Sequence, residues 1–331
     1  IQDVPIAITA FGADDLERLN ANDMADMQFS TPNLTISYNG KTIPRIGMRG
    51  ISDYSRNPGY DNRVSVYVDG IYAGRSAASN QSTLDIERVE VLRGPQGTLF
   101  GKNTVAGAIS LTSKKPSADL HGSVGFDVGK DDYLSVTGML NTPVIEDKLY
   151  AKLMVSDKQR DGYKTNLFNG DDLDGLDEQA ARLQLRWLLD NGEVNFSADK
   201  TRDITEGVAS ESVNDMFAPK KFEINTNQEL VQRMEGQGAG LTVDYTLAND
   251  FELTSISGYR EMEFLYTNDE DYTHFDVAHS TTTEKSEHFS QELRLASPEN
   301  DTYDYVLGLF YYEQTNDCLL YTSDAADEED S

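Results

Sequence analysis

The sequence predicts an α+β domain followed by the strands of an incomplete, antiparallel transmembrane β-barrel, about nine strands in all. Three observations carry this. The spacing of apolar residues changes at Pro116, the charge changes in the same region, and the connections between the later strands alternate between short and long. Residues 1–118 balance twelve basic against twelve acidic side chains, so the whole formal charge of −29 belongs to the remainder. A chain of 331 residues suits two domains, or one domain and part of another. No apolar run reaches the ~20 residues that a membrane helix requires.

The first domain alternates short elements. VPIAITAF (4–11) reads as a strand, and GADDLERLNANDMADMQFS as two helices, the first capped by Asp14 or Asp15 and the second by Asp23. Thr31-Pro32-Asn33 closes the helical run, because proline lacks an amide donor and restricts its neighbour. Strands follow at 34–38, 43–51 and 64–72. Leu84 to Val89 starts as a turn or helix and passes into the strand ERVEVL, and GAISLTSKK (107–115) ends the domain.

After Pro116 the period becomes two. Leu183, Leu185, Trp187 and Leu189 share one face of a strand, with Arg182, Gln184 and Arg186 on the other. Leu241, Val243, Tyr245 and Leu247 oppose Thr242, Asp244 and Thr246 in the same way, and Leu293 and Leu295 oppose Ser290, Glu292 and Arg294. The strands lie near 120–128, 132–142, 147–157, 179–189, 193–201, 238–247, 251–262, 285–296 and 303–315. Turns at 143–146, 190–192, 248–250 and 297–300 are short. Connections at 158–178, 202–237 and 263–284 are long and polar, and 129–131 is a short exception. A soluble β-sheet with one wet face also alternates. Strands of about ten residues joined by this loop rhythm favour a membrane barrel, apolar towards lipid and polar towards the lumen.

RGPQGTLFGKNT (93–104) ends in Gly-Lys and invites comparison with a phosphate-binding loop. That loop needs glycine five positions before Gly101 and a hydroxyl after Lys102; here those positions are Gln96 and Asn103. The glycines serve tight turns instead. The acidic second part disfavours nucleic acid, since phosphate repels carboxylate. NGDDLDGLDE (169–178) offers oxygen ligands but lacks the glutamate at the twelfth position of a calcium loop, and reads as a solvated acidic loop. YTHFDVAH (272–279) matches no defined metal spacing, and no Ser/His/Asp set has motif support. No cofactor or metal is expected, and the protein is expected not to be an enzyme.

DVPIAITAF (3–11), IGMRGI (46–51), VSVYVDGIYAG (64–74) and DIERVEVLRGPQGTLFGKNTVAGAISLTSKKP (85–116), in that order, resemble the TonB-dependent outer-membrane receptors. SQELRL (290–295) and GLFYYEQ (308–314) are similar to barrel strands of that family. Ala106-Gly107-Ala108 stands where many members have paired glycines. The resemblance implies a plug domain over 1–118, the N-terminal portion of a barrel of about 22 strands over 119–317, and a location in the outer membrane of a Gram-negative bacterium. It also implies that Gly94, Pro95, Gly97 and Gly101 shape a plug turn. Residues 318–331, beginning at Cys318, look like the translation of a sequencing-library adaptor and are expected to be a non-native tail. The segment that contacts TonB is expected upstream of residue 1.

The function so implied is TonB-dependent active import of a scarce ligand: a siderophore, cobalamin, a glycan or similar. The expected partners are the inner-membrane TonB complex, that ligand and outer-membrane lipid. A passive porin-like channel leaves the LRGPQGTLFGKNT segment without a purpose, and a soluble adhesive binding protein is the other alternative. By the resemblance, Arg49 and Arg93 in the plug and Glu292 on the lumen face form an ionic lock. Asn57, Tyr60 and Arg75 in plug loops, with Tyr272 and His274 in an outer loop, are the candidate ligand contacts.

Overall fold

The computed structural model describes residues 7–19, 21, 24–39, 43–52, 61–75, 85–207, 220–298 and 303–324. The first domain opens with β1 (Ala7–Gly12) and α1 (Ala13–Arg18). The cap of α1 is Gly12 rather than Asp14 or Asp15. Asp15 lies a turn inside the helix and accepts the Gly12 N–H at 3.2 Å, which satisfies an amide the helix leaves unpaired. Asp23 lies outside the described residues, and the expected second helix is a 3-10 segment, Met24–Phe29, that buries Met24 and Met27. Next come β2 (Leu34–Asn39), β3 (Ile43–Met48) and β4 (Ile51–Ser52). The single strand expected over 43–51 breaks because Arg49 and Gly50 both take positive φ, at 51° and 78°.

β5 (Val64–Val68) and β6 (Ile71–Tyr72) form a hairpin, followed by β7 (Ile86–Arg93), α2 (Gly97–Phe100) and β8 (Gly107–Ser113). The domain's main sheet has the order β1-β7-β8-β5-β6, with β5 and β8 parallel. Val64, Val66, Val89, Val91, Ile109 and Leu111 fill its core with Met24, Met27 and Met48. The segment 94–103 is a one-turn helix between glycines at positive φ, Gly94 at 109° and Gly101 at 76°.

The second region is one antiparallel sheet: β9 (His121–Val128), β10 (Leu134–Ile145), β11 (Leu149–Arg160), β14 (Leu176–Leu189), β15 (Gly192–Glu206), β17 (Val231–Thr246), β18 (Glu252–Asp269), β19 (Ala278–Ala296) and β20 (Val306–Asp324), each paired with its neighbour in sequence. These are the nine strands the periodicity predicts, but they are longer at the long-loop end, and the long loops shrink accordingly. The register explains the difference. The outward row Leu140–Leu153–Leu183–Ala198–Ala239–Tyr259–Phe289 is apolar. Four residues further along the strands the same face reads Asp157–Gln179–Arg202–Glu235–Glu263–Lys285–Asp317. Beyond the apolar belt the outward face is polar, while on β17 and β18 the inward face carries a buried cluster of Met234, Met262, Phe264 and Tyr266, so the ladder continues after the belt's pattern has ended.

Leu183 and Trp187 are 39% and 54% exposed on the outward face, whereas Gln184 between them is 7% exposed and faces the first domain. β20 runs through Cys318 to Asp324 in register with β19, so strand pairing does not mark the expected junction after residue 317. At the long-loop end, β12 (Lys164–Asn166) pairs with β13 (Asp172–Leu173) and, in parallel, with β16 (Glu223–Ile224), over a small core of Leu173, Ile224 and Leu230. Asn166 Nδ2 donates to the Thr226 carbonyl at 2.9 Å, and Thr226 Oγ1 donates to Asp269 Oδ2 at 2.5 Å.

Candidate functional site

The functional geometry lies in the seam between the first domain and the inward face of the sheet. One inward row reads Asn141–Lys152–Gln184–Ser197–Gly240–Gly258–Ser290–Tyr312 across eight adjacent strands. At its start, Lys152 is 3% exposed and donates to Asp85 Oδ2 and to the Lys114 carbonyl, both at 2.6 Å. Asn141 is buried and ties down the segment after β8: the Ser117 N–H donates to its Oδ1 at 3.0 Å, and its Nδ2 donates to the Ser117 and Asp119 carbonyls at 3.0 and 2.5 Å. Arg182 reaches Ser113 Oγ at 3.3 Å, and Lys115 and Arg186 converge on Glu193.

At the other end of the row the contacts change character. Tyr67, Tyr72, Leu92 and Ala108 form an apolar patch on the first domain against Tyr312. His288 lies with its Nε2 at 3.0 Å from the Tyr72 carbonyl, and its ring forms a triangle with those of Tyr72 and Tyr312. Tyr67 donates its hydroxyl to the Phe100 carbonyl at 2.5 Å, and Asn103 Nδ2 donates to the Tyr72 hydroxyl at 3.2 Å. Burial pushes both phenols up, Tyr72 to about 12, so both stay protonated. Lys102 sits 4.1 Å over the Tyr312 ring, and burial draws its ammonium below the usual lysine range.

The expected site residues are distributed as follows. The Arg49 guanidinium packs against Gly94, where a Cβ would stand 2.9 Å from its Nη1, so it lies beside the turn that carries Arg93. Arg93 Nη1 donates to the Pro32 carbonyl at 3.2 Å. Glu292 Oε1 pairs with Arg294 Nε on its own strand at 3.1 Å. Among the described residues no ion pair joins Arg49 or Arg93 to Glu292. Arg75 and Glu284 form a largely buried ion pair between the first domain and β19. Asn57 and Tyr60 lie outside the described residues. The Tyr272 N–H donates to Asp269 Oδ1 at 2.9 Å, and the His274 ring lies tilted against that of Phe275.

Asp271 organises that outer loop. Burial raises its carboxyl, but hydrogen bonds from Thr273, Val277 and Ala278 outweigh burial and hold it below the usual aspartate range. No described group of His, Cys, Asp and Glu side chains is arranged to hold a metal ion. Sequence reasoning missed Lys152, Asp85, Ile71 and His288. The available signals were a lone lysine on the polar face of AKLMV and glycines at consecutive inward positions 236, 238 and 240.

A small α+β domain seated by its side chains against the polar, inward face of a curved lipid-facing sheet defines a plugged outer-membrane β-barrel protein. Residues 1–108 match the TonB-dependent receptor plug domain, and the chain comprises that family's plug and part of its barrel. The chain is 28% identical over 242 residues to a pesticin receptor of Yersinia enterocolitica, covering 71% of this chain and 35% of that protein. It is 25% identical over 223 residues to a vitamin B12 transporter of Vibrio vulnificus, covering 62% and 34%. The fold matches the ferric yersiniabactin uptake receptor of Yersinia pestis with a TM-score of 0.84 at 24% identity, over 97% of this chain and 50% of that one. The ferripyoverdine receptor of Pseudomonas aeruginosa gives 0.76 at 15% identity, over 98% and 44%. These two likenesses establish the fold alone. The chain thus spans about a third of these relatives and half of the first solved structure. The relatives are outer-membrane receptors of Gram-negative bacteria, and the TonB-dependent receptors are transporters, not enzymes.

Proposed function

We propose that the receptor to which this chain belongs imports a scarce ligand, a siderophore, cobalamin, a glycan or similar, across the outer membrane, energised by the inner-membrane TonB complex. The observation that carries this reading is the plug itself, held against the inward face by a continuous row of polar and small side chains from Asn141 to Tyr312. A passive pore has no use for such a stopper. Ligand binds against plug loops and barrel loops, with Arg75, Asn57 and Tyr60 of the plug and Tyr272 and His274 of an outer loop as the candidate contacts. Ligand binding biases a plug that has two arrangements, and no covalent chemistry is required.

The test is uptake of ferric siderophore, cobalamin and oligosaccharide panels in strains lacking the receptor or lacking TonB. Import of one ligand is expected to vanish in both strains, whereas uptake that persists without TonB returns the passive channel. Arg49, Arg93 and Glu292 form the proposed lock. The Arg49 guanidinium packs beside Gly94, next to Arg93, and among the described residues neither arginine pairs with a carboxylate, so a carboxylate turning towards them gains two guanidinium partners. Glu292→Gln should reduce uptake at least about tenfold; unchanged uptake removes the lock and leaves import standing.

A further inference from the structure

Ile71 stands at the tip of the β5–β6 hairpin. Its turn uses Asp69 and Gly70, both at positive φ, 52° and 81°. Asp69 is clamped to β8: the Ser113 N–H and Oγ donate to its carboxylate at 2.8 and 2.9 Å, and its own N–H donates to the Leu111 carbonyl at 2.9 Å. The hairpin tip is therefore a rigid projection rather than a loose loop.

Opposite it, Gly240 on β17 and Gly258 on β18 are direct partners in register. A Cβ on Gly240 would lie 2.5 Å from Ile71 Cδ1, and one on Gly258 would lie 2.5 Å from Ile71 Cγ2. Neither glycine has the positive φ that would call for glycine on backbone grounds. Glycine within a strand, which costs stability, marks a close approach of other atoms. The space around the pair is occupied on both flanks. Arg260, held to Asp199 at 2.8 Å, fills the side-chain space of Gly238, where a Cβ would stand 3.0 Å from its Nη1. On β19, His288 holds the carbonyl of Tyr72, the residue after Ile71.

We propose that Gly240 and Gly258 form a socket in the barrel wall in which Ile71 seats, and that this seat fixes the resting position of the plug and keeps the lumen closed. Ile71 is a positioning residue and touches no ligand. The proposal goes beyond import, since seating needs neither ligand nor TonB.

The test is steric reciprocity in the full-length receptor. Gly258→Ala places a methyl group where Ile71 now sits, and Ile71→Ala removes the obstacle. Two readouts are independent of uptake: amide hydrogen exchange over residues 64–72 in detergent, and growth inhibition by vancomycin, which the intact outer membrane excludes. Gly258→Ala should raise exchange at least about tenfold and sensitise cells to vancomycin. The Ile71→Ala/Gly258→Ala double variant should return both readouts to within about twofold of the parent. A Gly258→Ala protein that exchanges and excludes vancomycin like the parent overturns the socket, as does a double variant as perturbed as Gly258→Ala. Should Gly258→Ala fail to assemble, the double variant decides: recovered assembly supports the socket, and continued failure overturns it.

Discussion

The two halves of the nine-stranded sheet hold the plug by different physics. Across β10, β11, β14 and β15 the plug is held by charge and hydrogen bonding: Lys152 with Asp85, Lys115 and Arg186 with Glu193, and Asn141 with the chain after β8. Across β17 to β20, apart from the Arg75–Glu284 ion pair, it is held mainly by shape: Ile71 against two glycines, and Tyr72, His288 and Tyr312 ring against ring. The first half lies against the segment that leads from plug to barrel, and the second against a hairpin tip and the turn at 100–103. A buried ion pair is unforgiving, because removing one partner strands the other. A shape contact loses little when trimmed and fails when overfilled.

That contrast can be broken most directly at Lys152. Lys152→Ala leaves the Asp85 carboxylate and the Lys114 carbonyl without their donor, and should cost about 3–5 kcal/mol in chemical denaturation of the detergent-solubilised protein. His288→Phe keeps a ring in the second half and loses only the contact with the Tyr72 carbonyl, so the expected cost is about 1 kcal/mol. Equal costs at the two positions would end the distinction. The smallest expected effect lies outside both halves, at Asp271. Its folded pKa is depressed below the ordinary 3.8, so it contributes stability to its loop above that value and loses it as pH falls through the lower folded value. Exchange at the Val277 and Ala278 amides should rise below about pH 4 while the seam stays protected; protection already lost near neutral pH would show that the carboxylate is not what holds the loop.

Much of this architecture was legible in the sequence. Wherever one face meets lipid and the other a polar lumen, as from Leu183 to Trp187, the alternation reported both strand and facing correctly. The extensions towards Asp269 and Ala278 were not legible, because there the outward face turns polar and the apolar residues, Met234, Met262, Phe264 and Tyr266, lie on the inward face, reversing the pattern of the belt. Neither was the break at Arg49–Gly50, where the apolar pattern continues and only φ reverses. The seam was harder still. Lys152 meets Asp85, 67 positions earlier, and Ile71 meets Gly240 and Gly258 from another domain. Strand periodicity says which way a side chain points but not what waits there, and a glycine in a strand announces a visitor without naming it.

The small sheet of β12, β13 and β16 bears on how the outward-facing end can vary. Its hydrogen bonds run from Asn166 through Thr226 to Asp269, so three connections from three separate hairpins form a single body. An insertion that an independent loop would absorb must here leave all three anchor points aligned. Whatever grips one connection from the cell exterior pulls on the other two.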